Sequence, residues 1–213
     1  MRILSRTVGP FQENSYLVVD DTSNRAVLID PGDEPDALIE MVRESGAVLD
    51  AIWLTHAHID HIGGIAGVQR EWSVPLHMHP EDRPLFERGA QQAAAYGLPF
   101  DQPNDPDVEI ADGEQLMVGS LAFEVIHTPG HAPGHVVFRN GLTVIGGDLL
   151  FAGSIGRTDL PLSNPVHMQA SLTRICELDG DTTVHPGHGP STTIGYERAT
   201  NGFLTGSARL VRR

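Results

Sequence analysis

Seven consecutive residues, Thr55-His56-Ala57-His58-Ile59-Asp60-His61, constrain this chain more than any other feature. Three imidazoles and a carboxylate fall within six positions. Buried without strong partners, so many polar groups would cost on the order of several kcal/mol, so an ordinary core does not account for them. In an extended stretch, side chains two residues apart project the same way, so His56 and His58 can share one cation. Asp60 and His61 lie past the turn that follows, within reach of a second ion. This is not the helical H-E-x-x-H pattern, in which ligands four apart share a helix face.

Four more candidates sit beside glycine or proline, where the backbone turns sharply and a side chain projects from a loop. They are His131 in HTPGHAPGH, Asp148 in IGGDLLF, and His185 and His188 in HPGHGP. Any one alone reads as structural. Together with THAHIDH they read as a metal site, and His/Asp donors suit zinc, with iron or manganese also accepted.

The rest of the composition narrows the chemistry. All 14 basic residues are arginine, which excludes Schiff-base catalysis, pyridoxal phosphate anchoring and a P-loop lysine. A net charge of −14 repels phosphodiester backbones and speaks against nucleic acid, although bound divalent ions would make the cleft itself less negative. There is no G-x-S-x-G elbow for a Ser-His-Asp triad. Cys176 has no disulfide partner and reads as a buried helix residue. No apolar run approaches the roughly 20 residues that span a bilayer. The opening MRILSRTVGPFQENSY lacks a signal-peptide pattern, so a cytoplasmic protein away from membranes is expected.

Hydrophobic periodicity predicts strands at Ile3–Val8, Tyr16–Val19, Ala26–Ile29, Val48–Leu54 and Leu76–Met78. Further strands are expected at Gln115–Val118, Ala122–Ile126, His135–Phe138, Thr143–Ile145 and Thr182–Val184. Helices are expected from Pro35 to Gly46 with Leu38, Ile39 and Val42 on one face, and at Gly64–Trp72, Pro80–Arg88, Val166–Leu178 and Gly195–Thr200. The proline-rich stretch Gly89–Asp107 reads as a rim or lid with at most a helical turn. No linker or repeat divides residues 1–213, so one α/β (α+β) domain is expected, with two sheets face to face and helices outside.

LIDPGD, THAHIDH, HTPGHAPGH, GGDLLF and HPGHGP occur here in the order of the metallo-β-lactamase superfamily motifs. Most of the chain resembles the short glyoxalase II-like hydrolases, GSIGRTDLP and TTIGYERATNGFL included. The resemblance implies a four-layer αβ/βα sandwich of two mixed sheets. It implies two metal ions, one on His56, His58 and His131, the other on Asp60, His61 and His188, with Asp148 bridging. Asp30 would orient the ligand loop, His135 would hydrogen-bond a loop near the first ion, and His185 would steady the HPGHGP turn. His77, His79, His127 and His167 read as structural or surface residues.

A water between two such cations can lose a proton near pH 7 and supply the attacking hydroxide, so Asp60, His61 and Asp148 act catalytically through the ions. A thiolate leaving group, of pKa roughly 8.5, then departs without an obligatory acid. The expected substrate is an acyl-glutathione-like small-molecule thioester, and Arg157 stands where long glyoxalase II enzymes place a basic glutathione contact. An arginine there can pair bidentately with a substrate carboxylate, or instead form a surface ion pair with Asp159 or another acid. Only 25 residues follow His188, fewer than the helical domain that the long enzymes append. The competing readings are a mononuclear-iron persulfide dioxygenase, a lactonase or β-lactamase, and a non-catalytic metal-binding domain of the same fold.

Overall fold

Strands β1 (Arg2–Val8), β2 (Glu13–Asp20) and β3 (Arg25–Ile29) open a sheet whose second strand is buried along its whole length, so both its faces are covered. The computed structural model, which describes residues 1–208, shows what covers them. Side chains alternate across a strand. Leu17, Val19 and Leu28 point into one core with Leu38, Met41 and Val42. Tyr16, Val18, Val27 and Ile29 point the other way, against Phe123, Val125 and Phe138 of a second sheet. A third core joins Ile126, Val137 and Val144 to Met168, Leu172 and Ile175. Three apolar layers thus separate helix, sheet, sheet and helix.

The first sheet continues through β4 (Val48–Trp53), β5 (Leu76–Met78) and β6 (Val108–Glu109), in the order β1-β2-β3-β4-β5-β6. It is antiparallel as far as β3 and parallel beyond. The second sheet begins with β7 (Gln115–Val118), β8 (Leu121–His127), β9 (Val136–Asn140) and β10 (Thr143–Gly147). A ribbon of β11 (Leu150–Phe151) and β12 (Ser154–Ile155) follows, then β13 (Thr183–Pro186) and β14 (Thr192–Thr193). Its order is β14-β13-β10-β9-β8-β7, with β10 and β13 parallel. Trp53 cements the sheets, its ring 5.1 Å from Phe138 and 5.8 Å from Phe123.

Helix α1 (Pro35–Ser45) starts on Pro35 and stops at Gly46, whose φ of 71° suits a residue without Cβ. It buries Leu38, Met41 and Val42, so Met41 takes the place expected of Ile39. The THAHIDH segment ends in a one-turn helix, α2 (Ile59–Ile62), ahead of α3 (Ile65–Glu71). The single helix expected at Pro80–Arg88 is instead a 3₁₀ turn, Pro80–Asp82, followed by α4 (Arg83–Phe86). The irregular stretch contains a two-turn helix, α5 (Gly89–Tyr96), built on Gln-Gln-Ala-Ala-Ala of high helix propensity. Helix α6 (Pro165–Ile175) is capped by Asn164 and ends three residues early, leaving Cys176 half-buried at its C-cap rather than inside it. The short helices α7 (Ile194–Thr200) and α8 (Gly202–Thr205) follow. Among the described residues no helix is long and apolar enough to cross a membrane.

Candidate metal centre

Strands β4, β8, β10 and β13 all deliver a loop to the same rim of the sandwich, and those loops carry the predicted ligands. His56, His58 and His131 form one cluster and Asp60, His61 and His188 another, each with donor atoms within 4.8 Å of one another. Asp148 lies between them, its carboxylate 3.4 Å from His61 Nε2 and 3.5 Å from Nε2 of both His131 and His188. The structure brings all seven residues together. His185 stays outside, its Nδ1 3.0 Å from Ser191 Oγ, where it steadies the turn as expected.

Four of the five imidazoles are oriented through Nδ1. His61 Nδ1 meets Asp30 Oδ2 at 2.9 Å, His188 Nδ1 meets the Phe11 carbonyl at 3.1 Å, and His131 Nδ1 meets the Arg157 carbonyl at 2.8 Å. His56 Nδ1 lies 3.1 Å from Thr55 Oγ1. His58 Nδ1 faces His131 Nε2 at 2.8 Å. Asp30 also lies within 4.8 Å of His56 and His61 donor atoms, but at φ 50° it spends its carboxylate on the Thr55 N–H, the Thr55 hydroxyl and His61, so it orients the ligand loop. His135 spans Thr128 Oγ1 and the Asp148 N–H, which it accepts at 3.0 Å.

This leaves His56 Nε2, His61 Nε2 and Asp148 Oδ1 buried with no hydrogen-bond partner, and His58 Nδ1 and His131 Nε2 facing each other across the first cluster. Buried polar atoms in proteins are nearly always partnered, and converging imidazole and carboxylate lone pairs are the donor set of a divalent cation. The residues present fit two ions.

Burial, reinforced by neighbouring imidazoles, holds His56 well below the ordinary histidine range and His58 at about 3, leaving both rings neutral. Burial also lowers His131. Burial opposes charge on His61 as well, but Asp148 and Asp30 outweigh it and raise His61 well above that range. Asp148 behaves in reverse, since burial disfavours its ionisation while His61, His131 and His188 hold it far below the usual carboxylate range.

Two buried acids carry no sequence signal. Glu13 sits beneath the second cluster, its Oε1 3.9 Å from His61 Nδ1, and burial pushes it well above the carboxylate range. Asp82 sits beneath the first, where burial raises it to about 7. Close packing continues to the loop glycines: a Cβ on Gly187 would collide with Asp148 Oδ1.

Above the clusters opens a cavity of about 510 Å³, with Phe11, Tyr96, Phe151 and Leu160 on its walls and His58, Asp60, Asp148 and His188 on its floor. The rim role expected of Gly89–Asp107 falls to α5, which contributes Gln91, Gln92, Ala95 and Tyr96. Two arginines line this space, Arg88 and Arg157. Arg157 also makes the ion pair foreseen for it, Nε and Nη2 meeting Asp159 at 2.7 and 2.9 Å.

Residues 8–188 match the model of the metallo-β-lactamase superfamily, and the chain belongs to that superfamily. It is 38% identical to hydroxyacylglutathione hydrolase GloC of Haemophilus influenzae, over 92% of this chain and 95% of that protein. Among solved structures, TTHA1623 in a di-iron-bound form is similar at TM-score 0.88 and 46% identity, covering 94% of this chain and all of the other. The B3 metallo-β-lactamase BLEG-1 is similar at TM-score 0.89 and 37% identity, covering 96% and 100%.

Proposed function

We propose that this chain is a two-metal hydrolase that cleaves small-molecule thioesters of the acyl-glutathione type. His56, His58 and His131 would hold one ion, Asp60, His61 and His188 the other, and Asp148 would touch both. Zinc suits these donors, and the di-iron form of TTHA1623 makes iron the main alternative. A pair of divalent ions there supplies hydroxide near neutral pH and an electrophilic contact for a carbonyl oxygen. The observation that carries the reading is the set of buried, unpartnered donor atoms of His56, His61 and Asp148, with Asp148 opening onto a cavity.

The chain's own residues supply the rest. Asp30, Thr55 and the Phe11 and Arg157 carbonyls fix the imidazoles, so that no reorganisation is needed during the reaction. Phe11, Tyr96, Phe151 and Leu160 shield the acyl chain from water. Arg88 and Arg157 give the cavity of a strongly acidic protein two cations suited to a substrate carboxylate. No general acid is required of the chain, because a thiolate of pKa roughly 8.5 leaves unassisted. The likeness to GloC supports the thioester, and the likeness to BLEG-1 makes a β-lactam the competitor. Rates on acyl-glutathione, neutral thioester, lactone and penicillin, with metal content measured in the same preparation, test the reading. Fastest turnover of the acyl-glutathione is expected; a preference for penicillin would reject it.

A further inference from the structure

Asp82 ends the 3₁₀ turn after β5, belongs to no motif, and is completely buried. Its Oδ2 accepts the Ala57 N–H at 2.9 Å and its Oδ1 accepts the Gly134 N–H at 2.5 Å. Ala57 separates His56 from His58, and Gly134 follows His131 by three residues. One carboxylate therefore ties together two loops from different sheets, and those loops carry the whole His56–His58–His131 cluster. Gly134 must lack a side chain for this, since a Cβ would lie 2.7 Å from the Asp82 nitrogen.

Gln92 of α5 completes the fixture. Its Nε2 donates to the Ala57 carbonyl at 3.1 Å and its Oε1 accepts the Ile59 N–H at 3.1 Å. Both polar groups of Ala57 are thereby anchored, and with them the directions in which His56 and His58 project. A buried acid with no cation beside it is costly to a fold.

We propose that Asp82, assisted by Gln92, is a positioning residue that sets the spacing between the His56–His58 pair and His131 and so tunes that cluster's affinity for its ion. The inference rests on the two-ion reading above, and the test separates the two. Apo-protein is titrated with zinc against a chromophoric chelator, comparing wild type with Asp82→Asn and Asp82→Ala. The same comparison is made with His188→Ala or His131→Ala, so that only one cluster remains complete.

Partners behind a ligand typically account for roughly 10- to 100-fold in metal affinity. The Asp82 variants should lose that much in the His188→Ala background and change less than about twofold in the His131→Ala background. Urea unfolding of the metal-free variants reports any plain structural role. If an Asp82 variant does not fold, Gln92→Ala, at a half-buried site, should weaken the same ion severalfold. Unchanged affinity in the His188→Ala background, or equal loss in both, overturns the proposal. Wild type binding fewer than two ions overturns the two-ion reading instead.

Discussion

Asp148 and Arg157 place the sharpest demands on single side chains. If Asp148 touches both ions, Asp148→Ala should weaken both together, by more than the roughly 10- to 100-fold that follows loss of an outer partner. Metal analysis after dialysis checks this, and two tightly held ions would speak against the bridge. Arg157 already shares Nε and Nη2 with Asp159, so a substrate carboxylate there gains at the low end of a charged hydrogen bond. Arg157→Ala should raise KM for acyl-glutathione roughly tenfold with kcat little changed, and leave a neutral thioester unaffected. Equal effects on both substrates would remove Arg157 from the site. The seven cluster residues were readable in the sequence because loop ligands come packed in short motifs. Asp82, Glu13 and Gln92 were not, because each acts on backbone or side chains 25 or more positions away and has no local pattern.

At the scale of elements, periodicity located the long strands and helices and failed where an element is too short to show a period. The two-residue strands β6, β11, β12 and β14 were missed for that reason, and α5 was obscured by the prolines that follow it. The sheets are also tied at a point that hydrophobicity does not reveal. Asp20, at the end of β2, accepts the Ser120 N–H and hydroxyl from the β7–β8 turn, along with Ser23 and Thr22 of its own turn. The Ser120 N–H, then Ser23 and Thr22, hold its carboxyl below the usual carboxylate range. A folded-state pKa lowered in this way contributes stability above the ordinary aspartate value of roughly 3.9, and that stability is lost as pH falls through the folded value. Asp20→Asn should therefore unfold at lower temperature than wild type at pH 7, and the gap should shrink as the pH falls below about 4. A gap independent of pH in thermal melts would contradict the role given to Asp20.

For the whole molecule, metal and fold should be linked, because the clusters draw on loops from both sheets. At a free concentration 100 times its Kd, each ion stabilises by about 2.7 kcal/mol, or very roughly 5–10 °C for a chain of this size. Chelation should lower the melting temperature accordingly, and readdition should restore it. Joint action of two ions on a thioester is tested most directly by adding zinc stepwise to apo-protein and following hydrolysis of an acyl-glutathione. The rate should rise until about two equivalents are bound and then level off. A plateau at one equivalent, or turnover that needs no metal, would contradict joint action.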